Sequence, residues 1–340
     1  MFRVEKVIRR FRGLIAEPDG VIGFRGRQLL RFRPPYEQPE EIGQLPSSWS
    51  HGVSRIGLVR RFLRQEVYHL LRTQKGTYLC ASREGVLRKA DDEDTFSVVA
   101  CHFQGRRPIS ICEDATGTIY FGEYFKNPER LPVRIWASHD DGESWQVCYE
   151  YPANAIRHVH GIRWDEAAER LWVFTGDHGS ESHIATASPE FTDYQILAEE
   201  GQLTRTVAGV SLGESFIYAT DTPFEQNYTC SIDVKTCEIT RHQELANSVF
   251  FMTKALGGVL LSTVAEPSKV NDSPFSQVWY SDDGIEWDLV QSFRRDGWNR
   301  ILFQLPAIFL AEGNSNGRHA FLSCRAVKKY DNDCLVVAKA

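Results

Sequence analysis

Two short stretches hold residue types able to move a proton or hold a cation. Arg157, His158 and His160 stand together in RHVHG, and TGDHGSESH adds Asp177, His178, Glu181 and His183, so four of the chain's ten histidines fall between positions 158 and 183. Residues two apart on a strand share a face, which points His158 and His160 the same way. His-x-His beside a carboxylate such as Asp177 is a ligand set for a divalent metal, Zn or Mn, although no zincin spacing accompanies it. The same imidazoles titrate near neutrality and suit general acid or base work.

Acids mark the ends of four apolar runs: Glu123 in YFGEY, Asp177 in VFTGDHG, Asp221 in IYATDTP and Glu266 in STVAEP. Four carboxylates at one mouth repel unless they bind a cation, share protons or pair with bases. The ordinary alternative is that each caps its own loop. Asn227 and Tyr228 in FEQNY add hydrogen-bonding groups, and Trp298 with Arg300 in DGWNR offers an aromatic face beside a cation. That mixture suits a sugar ring, while Trp298 also fits as a plug between sheets.

Two reactions use these residue types. Glycoside hydrolysis needs two carboxyl groups about 5 Å apart for retention, or about 6.5–9.5 Å for inversion. Its candidates are Glu123, Asp177, Asp221 and Glu266. β-Elimination from a uronate needs a cation or metal against the sugar carboxylate, a base near C5 and an acid for the leaving oxygen. His160 or His178, Tyr228, and Arg205 or Arg300 fill those roles, with Arg157, His158, Glu181, Asn227 and Trp298 as further substrate contacts.

The elements that must position these residues repeat. Residues 108 to 151 show one full unit: PISICED, the turn ATG, TIYFGEY, a loop KNPERLPV, then RIWASHDDGESWQVCYEY. Further units begin near His158, Arg205, Ser248 and Arg300, at intervals of about 45–50 residues that match a four-stranded propeller blade. LIAEPDGVIGFRGRQLLRFRP (14 to 34) and LLRTQKGTYLCASREGVLRKAD (70 to 91) align with each other and bring the count to seven. The last unit lacks an outer strand, which the partly alternating segment Phe2 to Arg10 would supply. A count of six follows if IGLVRRFLRQEVYHLL (56 to 71), with its helical spacing of apolar residues, interrupts the first units. The sequence thus predicts an all-β chain, one propeller domain over 1–340.

SHDDGESW matches the Asp-box pattern S-x-D-x-G-x-[ST]-W at Ser138, Asp140, Gly142, Ser144 and Trp145. SDDGIEW gives a shortened copy at Ser281, Asp283, Gly284 and Trp287, and ASPEFTDY (187 to 194) reads as a decayed one. In these motifs the chain resembles the sialidase-like BNR-repeat propellers. The resemblance implies that the boxes are structural hairpins between third and fourth strands, away from the substrate face, so Asp140 and Asp283 are not catalytic. It also implies carbohydrate as the substrate class, but no Phe/Tyr-Arg-Ile-Pro motif occurs, RRPI (106 to 109) is a poor substitute, and no arginine triad for a sialic acid carboxylate can be picked out. The loops between second and third strands and the entries to first strands would carry the chemistry. The sequence therefore reads first as a glycoside hydrolase-like enzyme on an oligo- or polysaccharide, second as a polysaccharide lyase using His and Tyr on a uronate, and third as a non-catalytic platform for a glycan or protein.

Composition bounds the rest. The chain has 340 residues, 42% hydrophobic and 25% charged, with a formal charge of −6, which excludes a disordered or fibrous chain. No run reaches the ~18 apolar residues of a membrane span, and the start carries no apolar signal core, so the reading is cytoplasmic with no membrane partner. Residues 1 to 64 hold 13 Lys and Arg against 6 acids. A basic end suits nucleic acid, but alternation of Arg31 and Arg33 with Leu30 and Phe32 fits a solvated strand face better, and nucleic acid ranks last. The eight cysteines contain no CxxC. Cys230/Cys237 and Cys324/Cys334 could bridge across hairpins, with reduced buried thiols the preferred reading.

Overall fold

The computed structural model describes the chain except Met1, residues 48–60 and 63–66, and residues 68, 83, 101, 106 and 107; for Arg300 and Ile301 it describes the backbone alone. Seven antiparallel sheets follow one another, the blades of a seven-bladed β-propeller. The described residues divide into two compact units, Val67–Val207 and the pair of segments Met1–Glu66 and Ala208–Ala340.

The first unit holds three blades: β6 to β9 (Leu70–Arg72, Tyr78–Ser82, Gly85–Lys89, Ser97–Ala100), β10 to β13 (Cys112–Glu113, Ile119–Gly122, Val133–Ser138, Gln146–Tyr151) and β14 to β17 (Val159–Asp165, Arg170–Thr175, Ile184–Ala187, Gln195–Ala198). Second strands such as β7 and β11 are buried along their whole length, while the outer strand β13 is exposed or half-buried up to its last residue, Tyr151. A strand covered on both faces takes an unbroken apolar run, which is why IYFG and RLWVFT carry aromatic and β-branched residues without alternation. Val133, Ile135 and Tyr120 pack with Val159, Ile162 and Val173, so neighbouring blades share one core.

The other unit holds β2 to β5 (Arg12–Glu17, Gly20–Arg25, Gln28–Phe32, Pro39–Gln44), with the two-residue strand β27 (Glu312–Gly313) added parallel to β2. Its next two blades are β18 to β21 (Gly209–Leu212, Ser215–Ala219, Asn227–Asp233, Ile239–Leu245) and β22 to β25 (Val249–Ala255, Gly258–Thr263, Phe275–Ser281, Asp288–Arg294). The last blade combines β26 (Ala307–Leu310), β28 (Ala320–Arg325) and β29 (Cys334–Lys339) with β1 (Phe2–Ile8), which pairs with β29 from Phe2 against Lys339 to Ile8 against Cys334. The N-terminal strand is the outer strand of the last blade, as its alternation predicts.

The turns between third and fourth strands carry the S-x-D motifs. After β12, Ser138 Oγ donates to Asp140 Oδ1 at 2.8 Å, Ser144 N donates to the same oxygen at 2.8 Å, and Gly142 N donates back to Ser138 Oγ at 2.9 Å. After β24, Ser281 Oγ donates to Asp283 Oδ1 at 3.0 Å and Gly284 N to Ser281 Oγ at 2.7 Å. Ser188 holds the matching place after β16, accepting from Thr192 N at 3.2 Å. Gly142 has φ +84°, and a Cβ there would meet Leu79 of the preceding blade at 2.8 Å. Trp145 donates Nε1 to Gly142 O at 3.2 Å and lies 4.8 Å from the Phe121 ring, filling the space between the β6–β9 and β10–β13 sheets with Leu79 and Ile119.

Several expectations are corrected. Most of the helical segment at 56–71 lies outside the described residues; Arg61 and Phe62 are helical, but Leu70 and Leu71 belong to β6. The last unit starts with a short helix over Arg300–Phe303, not a strand, and its first strand begins at Ala307. The cross-hairpin disulfides do not form: Cys230, Cys237, Cys324 and Cys334 are all free, because Cys334 pairs with Ser323 and Cys230 with Arg241. In the arginine-rich start, Arg31 bonds Glu17 at 2.8 Å, and Arg33 bonds Asp19 at 2.7 Å and Glu40 at 2.6 Å. Acids of the same blade thus meet the Arg31 and Arg33 charges. Among the described residues no helix is long and apolar enough to cross a membrane.

Candidate functional site

Within the Val67–Val207 unit, two kinds of loop converge: those after the second strands β11 and β15, and the stretches leading into β14 and beyond β17. His158 immediately precedes β14 and His160 lies within it, and both rings are buried. His158 Nδ1 lies 2.7 Å from Phe125 O, and His160 Nδ1 lies 3.0 Å from Thr206 O. A carbonyl only accepts, so each Nδ1 carries the hydrogen and each Nε2 turns inward. The two Nε2 atoms are 3.0 Å apart, and His160 Nε2 is 3.2 Å from Asp177 Oδ1.

Asp177, in the loop after β15, is the centre of the cluster. Arg157 Nη1 donates to its Oδ2 at 2.8 Å, Arg205 Nη2 sits 3.1 Å from its Oδ1, and Gln202 Nε2 donates to its main-chain oxygen at 2.8 Å. Burial alone would raise the Asp177 pKa, but the Arg205 charge and the hydrogen bond from Arg157 outweigh it and hold the group below the usual carboxylate range. Asp177 is thus an ionised anchor, not a proton donor. Burial pushes the His160 pKa down, with Asp177 opposing. The Tyr124 ring covers the pair from one side, its centroid 4.3 Å from that of His158.

Other expected site residues lie elsewhere. Glu123 is fully buried, and its carboxylate accepts from Gln104 N at 2.9 Å, Arg134 N at 3.0 Å and Trp136 Nε1 at 3.2 Å. It caps its own loop, so it is not a catalytic acid at the mouth. His178 is exposed and stands just before a 3-10 turn over Gly179–Glu181, outside the buried cluster. Glu181 is taken by Arg130 Nε at 2.5 Å. His183 bonds Tyr194 Oη at 2.6 Å, which in turn meets Tyr151 Oη at 3.0 Å, an aromatic packing role.

The remaining candidates belong to the other unit. Asp221 is buried just after β19, and Glu266 is half-buried after β23. Asn227 is no ligand contact: its Oδ1 accepts from Thr220 Oγ1 and Thr222 N, and its Nδ2 donates to Thr222 O and Asn271 Oδ1, all between 2.8 and 3.0 Å. Tyr228 has the Arg241 guanidinium 5.3 Å over its ring, on the side of the outer strand β21, a packing contact in place of a general base. Trp298 is 54% exposed and meets Phe303 edge-on at 5.4 Å, so it plugs no gap between sheets. The Arg300 side chain lies outside the described residues.

Sequence reading missed Tyr124, Gln202 and the carbonyls of Phe125 and Thr206. Tyr124 stands beside Glu123 in an already suspect loop, whereas a backbone carbonyl leaves no mark in sequence.

No protein-family model and no curated protein matches the sequence. Solved structures do. A catalytically inactive virginiamycin B lyase of Staphylococcus aureus with quinupristin is 12% identical over 100% of both chains, with a TM-score of 0.58. A GH74 xyloglucanase of Xanthomonas campestris is 14% identical over 97% of this chain and 52% of its own, with a TM-score of 0.60. A chain of a nidogen/laminin complex is 11% identical over 82% of this chain and 93% of its own, with a TM-score of 0.53. The likeness establishes the fold: this chain is a β-propeller.

Proposed function

We propose that this propeller acts on an anionic, uronate-bearing glycan by β-elimination, at the loops around Asp177. The observation that carries the reading is a carboxylate fixed in its ionised form between Arg157, Arg205 and two imidazoles. Two guanidinium charges against one carboxylate leave the cluster positive, which attracts a sugar carboxylate. Arg157, whose side chain is 26% exposed against 13% for Arg205, meets it. Neutralising that carboxylate favours loss of the C5 proton, because the electron pair of the C–H bond moves toward the carboxylate as the proton leaves. His178, exposed and next to Asp177 in the chain, takes the proton. The C4–C5 double bond forms as the C4–O bond breaks, and the His178 imidazolium returns the proton to the departing oxygen.

Hydrolysis ranks second. Asp177, held ionised, cannot be the general acid, and Glu123 is consumed by its own loop, so the acid of a hydrolytic pair would have to be another carboxyl group. Propellers that include a xyloglucanase and a lyase support carbohydrate and elimination chemistry only as fold-level analogy. We also infer that SHDDGESW and SDDGIEW are Asp-boxes of the BNR type. Their bonding patterns and their place between third and fourth strands support this.

Incubation with acidic and neutral glycans tests the reading, following ultraviolet absorbance of the unsaturated uronate alongside reducing ends. Both signals should rise together on polyuronates, and His178→Ala should lower turnover by about 100-fold. Reducing ends without absorbance overturn elimination in favour of hydrolysis. Silence on every glycan leaves the platform reading in its place.

A further inference from the structure

The inward ends of His158, His160 and Asp177 present a second problem and its answer. With both Nδ1–H groups committed to the Phe125 and Thr206 carbonyls, neutral rings aim two Nε2 lone pairs at each other across 3.0 Å. Asp177 adds Oδ1 at 3.2 Å from His160 Nε2 and Oδ2 at 3.5 Å from His158 Nε2. Three buried electron-pair donors then face one another within 4.8 Å, an arrangement that repels unless something positive stands among them.

The geometry fits a metal ion. Imidazole bound through Nε2 with Nδ1–H donated to a carbonyl is the usual way a metal-binding histidine is oriented. Ligands about 2.1 Å from one ion lie about 3.0 Å apart at right angles and about 3.4 Å apart at tetrahedral angles, and the observed separations of 3.0, 3.2 and 3.5 Å fall on that scale. We propose that His158 Nε2, His160 Nε2 and the Asp177 carboxylate bind one divalent transition-metal ion, of the class that accepts imidazole and carboxylate together. Magnesium and calcium prefer all-oxygen shells and fit less well. Arg157 and Arg205 bond the same carboxylate, which has lone pairs enough for both guanidiniums and the ion. Their charges make the site weaker than a closed structural zinc site. In the elimination proposed above, such an ion would add to the charge facing the sugar carboxylate, yet its binding does not depend on that reading and is tested without any sugar.

The full chain, stripped with a chelator, is titrated with Co2+ and then with Zn2+ as competitor, reading visible absorbance, calorimetric stoichiometry and the thermal midpoint. One equivalent per chain is expected, with a raised midpoint. His160→Ala and Asp177→Asn should weaken binding by on the order of 100-fold, and His319→Ala should leave it unchanged. X-ray absorption of the cobalt-loaded wild type should show two imidazole ligands, which keeps the test decisive where a buried variant fails to fold. The proposal is overturned by an absence of saturable binding, which is the result for a cluster held together by a shared proton. It is equally overturned by a cobalt shell without imidazole, or by unaltered affinity in a folded His160→Ala protein.

Discussion

Asp177 and Glu123 end the second strands of adjacent blades and read alike in sequence, yet they differ in what faces them. Asp177 meets cationic side chains, while Glu123 meets two main-chain N–H groups and an indole N–H. Their substitutions should therefore separate. Glu123→Gln turns one acceptor of a fully buried side chain into a donor against N–H partners and should cost on the order of 1–3 kcal/mol in urea unfolding, with turnover per folded molecule unchanged. Asp177→Ala leaves Arg157, Arg205 and the imidazoles without their anion and should cost about 3 kcal/mol as well as abolishing turnover. Burial of the cluster makes Asp177→Ala a stability mutation as well as one of activity.

The hairpin between β12 and β13 is a self-contained device in which Asp140 accepts from Ser138 and Ser144 and Trp145 fills the gap to the previous blade. Asp140→Ala should lower stability by about 1 kcal/mol without altering turnover, measured by urea midpoint and by rate per folded molecule. Burial would raise the Asp140 pKa, but the hydrogen bonds from Ser144 and Ser138 prevail and bring it from 3.8 to about 2. A carboxyl depressed on folding contributes stability above its unfolded value and loses it as pH falls through the folded one. The midpoints of wild type and Asp140→Asn should therefore converge as pH drops from about 4 to about 2, and a constant gap would refute the assignment. The turn itself was legible because Ser138, Asp140, Gly142 and Ser144 bond one another within seven residues, whereas the Leu79 and Phe121 contacts of Trp145 were not.

At the scale of the molecule, the last blade depends on residues 2–8. Ile8, 2% exposed, packs with Phe11, Phe32, Phe321 and Val336, and β1 covers the hydrogen-bonding edge of β29. Deleting residues 2–8 should cost at least about 2 kcal/mol from Ile8 alone and leave β29 as an open edge. The expected readouts are a lower thermal midpoint and concentration-dependent aggregation. The proposal that residues 1–340 form one domain predicts a single unfolding transition for the intact chain by both fluorescence and circular dichroism. Two separated transitions would divide it.

Strand periodicity, turn chemistry and the length of the repeat pointed to a propeller of seven blades, with six left open, and to an N-terminal strand that closes the last blade. Each follows from local rules: alternation of side chains, the Asp and Gly of a hairpin, and the sameness of one blade to the next. Tertiary structure alone decided which acid faces a cation and which caps a loop. It also decided that His183 joins Tyr194, that Asn227 ties its own loop to Asn271, and that the Phe125 and Thr206 carbonyls set the imidazoles. Those outcomes depend on contacts between separate loops and strands, some of them more than 30 residues apart as with Phe125 and His158 or Thr206 and His160, and on backbone atoms every residue shares. A sequence fixes which groups are available at the mouth of a blade, and only packing fixes which of them find a partner.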